Sequence, residues 1–432
     1  ATPWTLITGS MAYNEMFAML FGVCALRLTT ETRGHDWRSA ACIGLLLGAA
    51  TMAKLTAAAM LAAPVVGIML LHRRDSQSAD DRPAQRVRRA CIAVAVAAAV
   101  LSPYLVRNAV QTGNPVFPFA ANLLGRGHWT AAQVERWNAA HHVDASWTEA
   151  VRDLGYQWLN NTGYGAIAGH ARQRDAATVE ATNVARFHRE WAWPTLWLVA
   201  GIGFVVALRR APLRQPAALM LVMLLIQLIF WLTATHLQSR FLIFTLLPGC
   251  WLTGVAVGRL QFLGRILGAV LVLALTMVSM DVLWHQTFSQ QPPWYWADAL
   301  TDKRQPAPAA DFAAIGDHPI NRMARGGHTL IVADNSRLAF IDQRITYHSA
   351  FDRNPLAALV HRVGDDPHAV TQALVDAGYT HVWINFGELD RLRATYGYDG
   401  MLTREFFERL INADWRLVAA PHPSTQLYEL PR

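Results

Sequence analysis

Five charged or ionisable side chains stand where an apolar chain has least reason to carry them. Glu15, in the string AYNE, opens the first apolar run. A carboxylate there could take the proton of an acceptor hydroxyl or hold a cation; it could also serve as an acidic residue at a helix N-terminus, favoured by the helix dipole. Lys54, in MAKLT, separates two apolar runs. An ammonium in that position needs an anion or a watery cavity, phosphate being the sharp reading, unless its stem lets the charge reach the membrane surface. Arg107 lies in SPYLVRNAVQTGNPVFPF, at the expected end of a helix, where Gly113, Pro115 and Pro118 enforce a turn. Its guanidinium could grip a phosphate with two parallel hydrogen bonds or bond the last carbonyls of its own helix. His236 and Arg240, in THLQSRF, are four residues apart and share a face if the segment is helical. A cationic pair there would neutralise charge developing on a phosphate leaving group. Tyr104, Asn108 and Asn114, from the same string as Arg107, complete the set as substrate-loop residues.

The elements that must position these groups are membrane helices. Of the 432 residues, 53% are hydrophobic and 16% charged, against about 25% charged in a soluble domain. The 16 Trp fit a chain with membrane interfaces to anchor. A mean hydropathy of only +0.18 requires that part of the chain be water-soluble. The net charge of +7 sits between apolar runs rather than on one patch, which argues against a nucleic-acid partner. Cys24, Cys42, Cys91 and Cys250 lie in or beside apolar segments without metal-ligand spacing and read as buried membrane cysteines.

Apolar runs fall at about 16–28, 40–53, 55–71, 90–106, 192–208, 216–235, 241–257 and 265–283. Several exceed the ~17 residues that cross a bilayer. Runs 40–53 and 55–71 abut at Lys54, as two short helices meeting in a re-entrant turn or as one longer helix. Arginines concentrate in the 27–38, 72–89, 209–215 and 258–265 connections. With one pass per run these fall on one side, the cytoplasmic one by the positive-inside rule. Glu15, Lys54, the 107–190 segment, the 234–240 loop and everything after 284 then fall on the other side. The chain begins at Ala1 and enters an apolar run almost at once, so an N-terminal portion with earlier spans is expected to be missing. Segment 108–190, with Trp129, Trp137, Trp147 and Trp158, reads as surface helices, a small cap, or a structured loop.

Beyond a proline-marked linker, 284–310, the pattern changes. β-type runs at 329–333, 380–385, 415–420 and 425–430 alternate with helical patterns at 355–363, 367–377, 388–396 and 403–412. That order predicts a small soluble α/β domain over 311–432. It carries no glycine-rich phosphate loop, no Cys/His cluster and no catalytic signature. The fold class is thus mainly α: a polytopic transmembrane helical bundle, residues 1–283, with a small α/β C-terminal domain.

Four strings in this order, PWTLITGSMAYNE, GLLLGAATMAKLTA, SPYLVRNAVQTGNPVFPF and THLQSRFLIFTLLP, resemble the C-type (GT-C) superfamily of integral-membrane glycosyltransferases. The nearest likeness is to bacterial relatives of the aminoarabinose transferases and protein O-mannosyltransferases. The likeness covers most of 1–283, and more vaguely the tail. It implies a polyprenyl-phosphate sugar donor, an acceptor that is a lipid, glycan or protein, transfer on the outer face of a bacterial inner membrane, and inversion at the anomeric carbon. By position, Glu15 matches the family's second acidic residue, Lys54 the lysine of its K-x-T-type turn, and Arg240 the basic residue near the donor phosphate. The principal catalytic aspartate of the family would lie in a first outer loop upstream of Ala1. The family has members with and without a metal, so a divalent ion stays possible, although no residue cluster here dictates one. A lipid-linked-sugar flippase and a non-catalytic envelope scaffold are the rival classes.

Overall fold

The computed structural model describes residues 14–30, 36–72, 82–141, 146–148, 151, 194–235, 239–258, 262–270, 272–274, 277, 318–334 and 338–431. The expected linker 284–310, most of 149–193 and the far end of run 265–283 lie outside the described residues. The chain is mostly helical and divides into two units, one of 1–127 and 141–292, the other of 128–140 and 293–432.

In the first unit, α1 (Glu15–Thr30) and α2 (Trp37–Ala53) form an antiparallel pair. Asp36 caps α2, accepting from the Ser39 backbone N–H at 3.0 Å. α2 stops at Lys54, whose backbone turns extended (φ −153°, ψ 115°). The chain then reverses through a π-helical turn (Ala58–Ala62) into α3 (Ala63–Leu71). Of the two arrangements open for runs 40–53 and 55–71, the re-entrant turn is the one found. Gly22, seven residues into the descent of α1 from Glu15, faces Leu61, seven residues past Lys54.

α4 (Pro83–Thr112) runs a full 30 residues, past the expected end near residue 106, and closes on Gly113 at φ 74°. It packs parallel to α2. A Cβ on Gly44 would sit 2.4 Å from the Ala93 carbonyl oxygen, and one on Gly48 would sit 2.7 Å from the Val100 Cβ. The G-L-L-L-G spacing therefore lets the two backbones touch, the usual device of helices that cannot rely on the hydrophobic effect for association. After α5 (Ala121–Leu124) and α6 (Ala131–His141) come α7 (Pro194–Leu208), α8 (Ala211–Ala234), a 3₁₀ helix (Ser239–Thr245) and α9 (Leu246–Gly258). α7 and α9 approach as closely, with a Cβ on Gly203 falling on the Leu252 carbonyl.

Among the described residues, three helices are long and apolar enough to cross a membrane: Pro83–Thr112, Ala211–Ala234 and Phe241–Gly258. Shorter apolar helices accompany them at Trp37–Ala53, Ala58–Leu71, Trp197–Leu208 and Phe262–Ala274.

In the second unit, α10 (Pro319–Met323) leads into β1 (His328–Val332), β2 (Arg344–Thr346), α11 (Pro355–Val363), α12 (Pro367–Asp376), β3 (His381–Asn385), α13 (Phe386–Tyr396), α14 (Arg404–Asp414), β4 (Arg416–His422) and β5 (Thr425–Glu429). The sheet order is β2-β1-β3-β5-β4. The first three strands are parallel, and the β4–β5 hairpin joins β3 antiparallel. Caps at Asn354, Asn385 and Thr403 start α11, α13 and α14. Gly378, at φ 84°, follows α12 and turns the chain into β3. Leu330, Val332, Val382, Ile384, Phe407 and Leu410 form the main core between sheet and helices. The second sheet face holds a smaller cluster around Ile331, Trp383 and Leu427. The three-residue strand β2 had no sequence signal, being too short for alternation to register.

Residues 128–140, from the stretch between α4 and α7, pack with this α/β unit. Gln133 Nε2 and Arg136 Nη2 both donate to the Phe351 carbonyl, at 3.0 and 2.8 Å. Trp129 Nε1 donates to Asp352 at 2.7 Å.

Candidate functional site

The bundle brings two of the sequence candidates into direct contact. Lys54 Nζ donates to Glu15 Oε1 at 2.6 Å, joining the break after α2 to the first residue of α1. The Glu15 side chain is only 4% exposed and that of Lys54 16%. Two charges this far from water persist only when paired, because each loses several kcal/mol of hydration on its own. The ammonium also lies over the ring of Phe241, 4.2 Å from its centroid, a second electrostatic contact. Phe241 is in the 3₁₀ helix, one residue after Arg240.

Helix directions decide what else is near. α4 runs parallel to α2, so its C-terminal turns, with Tyr104, Arg107 and Asn108, lie at the same end of the bundle as Lys54. Gln215 Nε2, at the start of α8, donates to the Leu71 carbonyl at the end of α3 at 2.7 Å. α8 therefore climbs back, and its C-terminus and the 3₁₀ helix also reach the Lys54 end. Arg27, Arg38, Arg86, Arg88, Arg89, Arg209, Arg210 and Arg214 lie in the helix ends and connections at the opposite end.

Arg107 is exposed on the last turns of α4. The helix continues for five residues beyond it, so it is a lateral residue and not the terminal cap. Asn108 Nδ2 and the Tyr104 hydroxyl both approach the Phe117 carbonyl, at 3.4 and 3.5 Å. Asn114 is fully buried. Its Nδ2 donates to the Phe119 and Gly125 carbonyls at 2.9 and 3.0 Å, and its Oδ1 accepts from the Val116 N–H at 2.9 Å. These bonds make Asn114 the internal brace of the 113–125 turn, satisfying backbone groups that no regular element pairs. His236 and the side chain of Arg240 lie outside the described residues; the Arg240 backbone belongs to the 3₁₀ helix.

Sequence reasoning missed Phe241 and Gln227. Gln227 is fully buried in mid-α8 and donates through Nε2 to the Met60 carbonyl at 2.8 Å and the Phe244 carbonyl at 3.2 Å. The signal was present: it is the one amide in the apolar run 216–235, and a polar side chain buried among apolar ones needs a hydrogen-bond partner. Phe241 had none, being one apolar residue among many. Among the described residues no group of three His, Cys, Asp or Glu side chains is placed to hold a metal.

The α/β unit has a polar cluster of its own. Asp352 accepts from Trp129 Nε1, from the Ser349 hydroxyl at 2.7 Å and from the Ser349 N–H at 3.2 Å, and meets His128 Nε2 at 3.1 Å. Burial works against the charge, but the donors from Trp129, Ser349 and His128 prevail and hold the carboxyl below its ordinary value. Beside it, His348 is bonded to the Tyr398 hydroxyl, which also accepts from Asn354 Nδ2 at 2.9 Å. Burial lowers His348 to about 4 and raises Tyr398 above the usual phenol range. A neutral imidazole and a neutral phenol, stacked on each other and tied to Asn354, fit a structural role inside the α/β unit.

No family model, curated protein or solved structure matches this chain, so its chemistry is read from its own residues.

Proposed function

We propose that the chain is a membrane glycosyltransferase that moves a sugar from a polyprenyl-phosphate donor to a lipid, glycan or protein acceptor on the extracytoplasmic side of a bacterial inner membrane. The observation that supports it is the buried Glu15–Lys54 pair with Phe241 against it, at the bundle end that also carries Arg107 and the backbone of Arg240. A lipid phosphate enters such a site from the bilayer, its chain in the apolar phase and its charge on fixed cations.

In the transfer, an acceptor oxygen attacks the anomeric carbon as the bond from that carbon to the phosphate oxygen breaks, inverting the centre. The electron pair leaves on the phosphate, and the acceptor's proton passes to a carboxylate. Cations aimed at the leaving phosphate are worth most where water is excluded. Lys54 and Arg240, with Arg107 and His236, are assigned to the phosphate. Glu15 orients the Lys54 ammonium and is the carboxylate on the acceptor side.

The experiment is a transfer assay on the full-length protein in membranes with radiolabelled polyprenyl-phosphate hexose and pentose donors. Glu15→Gln and Arg240→Ala are each expected to abolish transfer while membrane insertion stays intact. Wild-type turnover in both variants defeats the assignment, and movement of labelled lipid between leaflets without a new glycosidic bond favours a flippase.

A further inference from the structure

Two departures from α-helical geometry flank the Lys54 site. On one side the chain passes from Lys54 through a tight turn into the π-helix Ala58–Ala62. On the other, the 3₁₀ helix Ser239–Thr245 carries Arg240 and Phe241. Neither geometry satisfies its carbonyls in the regular α pattern, and within a bilayer no water replaces the missing donors.

Gln227 bridges these two stretches. Its two Nε2 hydrogens go to Met60 O in the π-helix and Phe244 O in the 3₁₀ helix. The amide orientation follows from the partners, since the reverse assignment would set an oxygen against two carbonyl oxygens. On the π side the connection continues toward the site. The Met60 N–H bonds the Thr56 carbonyl at 3.0 Å, and the Ala57 N–H bonds the Lys54 carbonyl at 2.8 Å. On the 3₁₀ side, Phe241 is three residues before Phe244 and lies under the Lys54 ammonium at 4.2 Å. The contacts close a ring: Gln227, the π-helix, the Lys54 turn, Phe241, the 3₁₀ helix, and Gln227 again. Lys54 and Phe241 meet at the site, and Gln227 fastens the same two segments deeper in the bundle. Two fastenings at different depths fix an angle as well as a distance, which one contact cannot do.

We infer that Gln227 is a positioning residue, setting the separation between Lys54 and the Arg240–Phe241 segment and thereby the grip on a lipid phosphate. The inference rests on the reading of this site as a polyprenyl-phosphate site. Gln227 does not touch the ligand; it acts through the backbones of two walls.

The test uses the full chain in phosphatidylcholine nanodiscs, titrated with farnesyl phosphate and with farnesol. General loosening of the bundle weakens both ligands alike, whereas a misplaced cation weakens the phosphate alone. Wild type should prefer the phosphate, and Lys54→Met should remove that preference. Gln227→Met should lower affinity for farnesyl phosphate about tenfold with farnesol binding and the thermal unfolding midpoint little changed. Gln227→Asn, too short to span both carbonyls yet still polar, should behave the same way if the methionine variant does not fold. A wild-type phosphate preference in a folded Gln227 variant overturns the inference and leaves the site reading standing. Equal binding of farnesyl phosphate and farnesol by the wild type overturns the site reading, and the inference with it.

Discussion

The helical bundle and the α/β unit are built from the same amino acids by different forces. In the α/β unit, large side chains such as Phe407, Leu410 and Trp415 are withdrawn from water, and each contributes a few kcal/mol by burial. In the bundle, Phe17, Leu198, Ile229 and Val270 point outward, as apolar surface in contact with lipid does. Burying such a side chain against another helix gains little when the alternative environment is already oily. The bundle also buries large side chains, Trp231, Phe244 and Leu61 among them, but what sets its register is close backbone approach at glycines and a few polar ties: Gly44 and Gly48 against α4, Gly203 against α9, Gln227 across two irregular turns, and Glu15 with Lys54. A soluble unit tolerates many small core changes at graded cost, whereas this bundle concentrates its specificity in a handful of positions.

The contrast can be broken most forcefully at Gly203. A Cβ there meets the Leu252 carbonyl oxygen at 1.8 Å, and that oxygen is backbone. Gly203→Leu is expected to separate α7 from α9 at more than the ~1–3 kcal/mol of ordinary overpacking. Loss of the monodisperse detergent-solubilised protein would register it, while wild-type yield and melting behaviour would contradict the packing account.

Next comes the buried pair. Lys54→Met leaves Glu15 charged and alone, at a cost of about 3–5 kcal/mol. The double variant with Glu15→Gln should recover much of that loss. Thermal unfolding of Lys54→Met, Glu15→Gln and the double variant measures it; additive destabilisation would mean the pair is not coupled.

In the α/β unit the corresponding lever is pH. His348 is held at about 4 against an ordinary 6.5, so between those values the unfolded chain binds the proton and the folded one does not. Its contribution is complete above pH 6.5, declines as the pH falls toward 4, and is flat below. The interval amounts to roughly 3 kcal/mol at ~1.36 kcal/mol per unit. Hydrogen exchange of the β1 and β3 amides at falling pH should show the loss, and His348→Phe should flatten it. The depression at Asp352 adds a further loss at lower pH, as the carboxylate becomes protonated.

The smallest effect is expected at the surface. Arg409 and Asp365 are paired at 3.1 Å, but both are more than half exposed. Arg409→Gln should change stability by less than ~0.5 kcal/mol, within the scatter of replicate melts.

Much of the architecture was legible in one dimension. Runs of apolar residues marked the helices, and β-type runs between helical patterns marked four of the five strands found among the described residues to within about two residues. The charge at Lys54 marked the join of two apolar runs without deciding between a turn and one longer helix, and the turn after α4 was legible because Gly113 and two prolines crowd it. Harder to see was the role of a polar residue in a loop. Asn114, grouped with the substrate residues, is spent on three backbone groups of its own turn, and only the closed loop shows that those groups lacked partners. Arg107 was misplaced by one helical turn because apolarity fades before the α4 hydrogen-bond ladder does.

Composition and periodicity by themselves determined that the chain has helices apolar enough for a membrane, a separate α/β unit, and isolated charges between apolar runs. Those properties are local, set by hydropathy and by the repeat of helix or strand. Tertiary structure alone decided that Glu15 and Lys54, 39 residues apart, form one ion pair, that Phe241 lies against it, and that Gln227 ties the walls behind it. Those relations depend on the register and direction in which helices pack. Glycine contacts and chain reversals fix that register, and no repeat along a single helix encodes it.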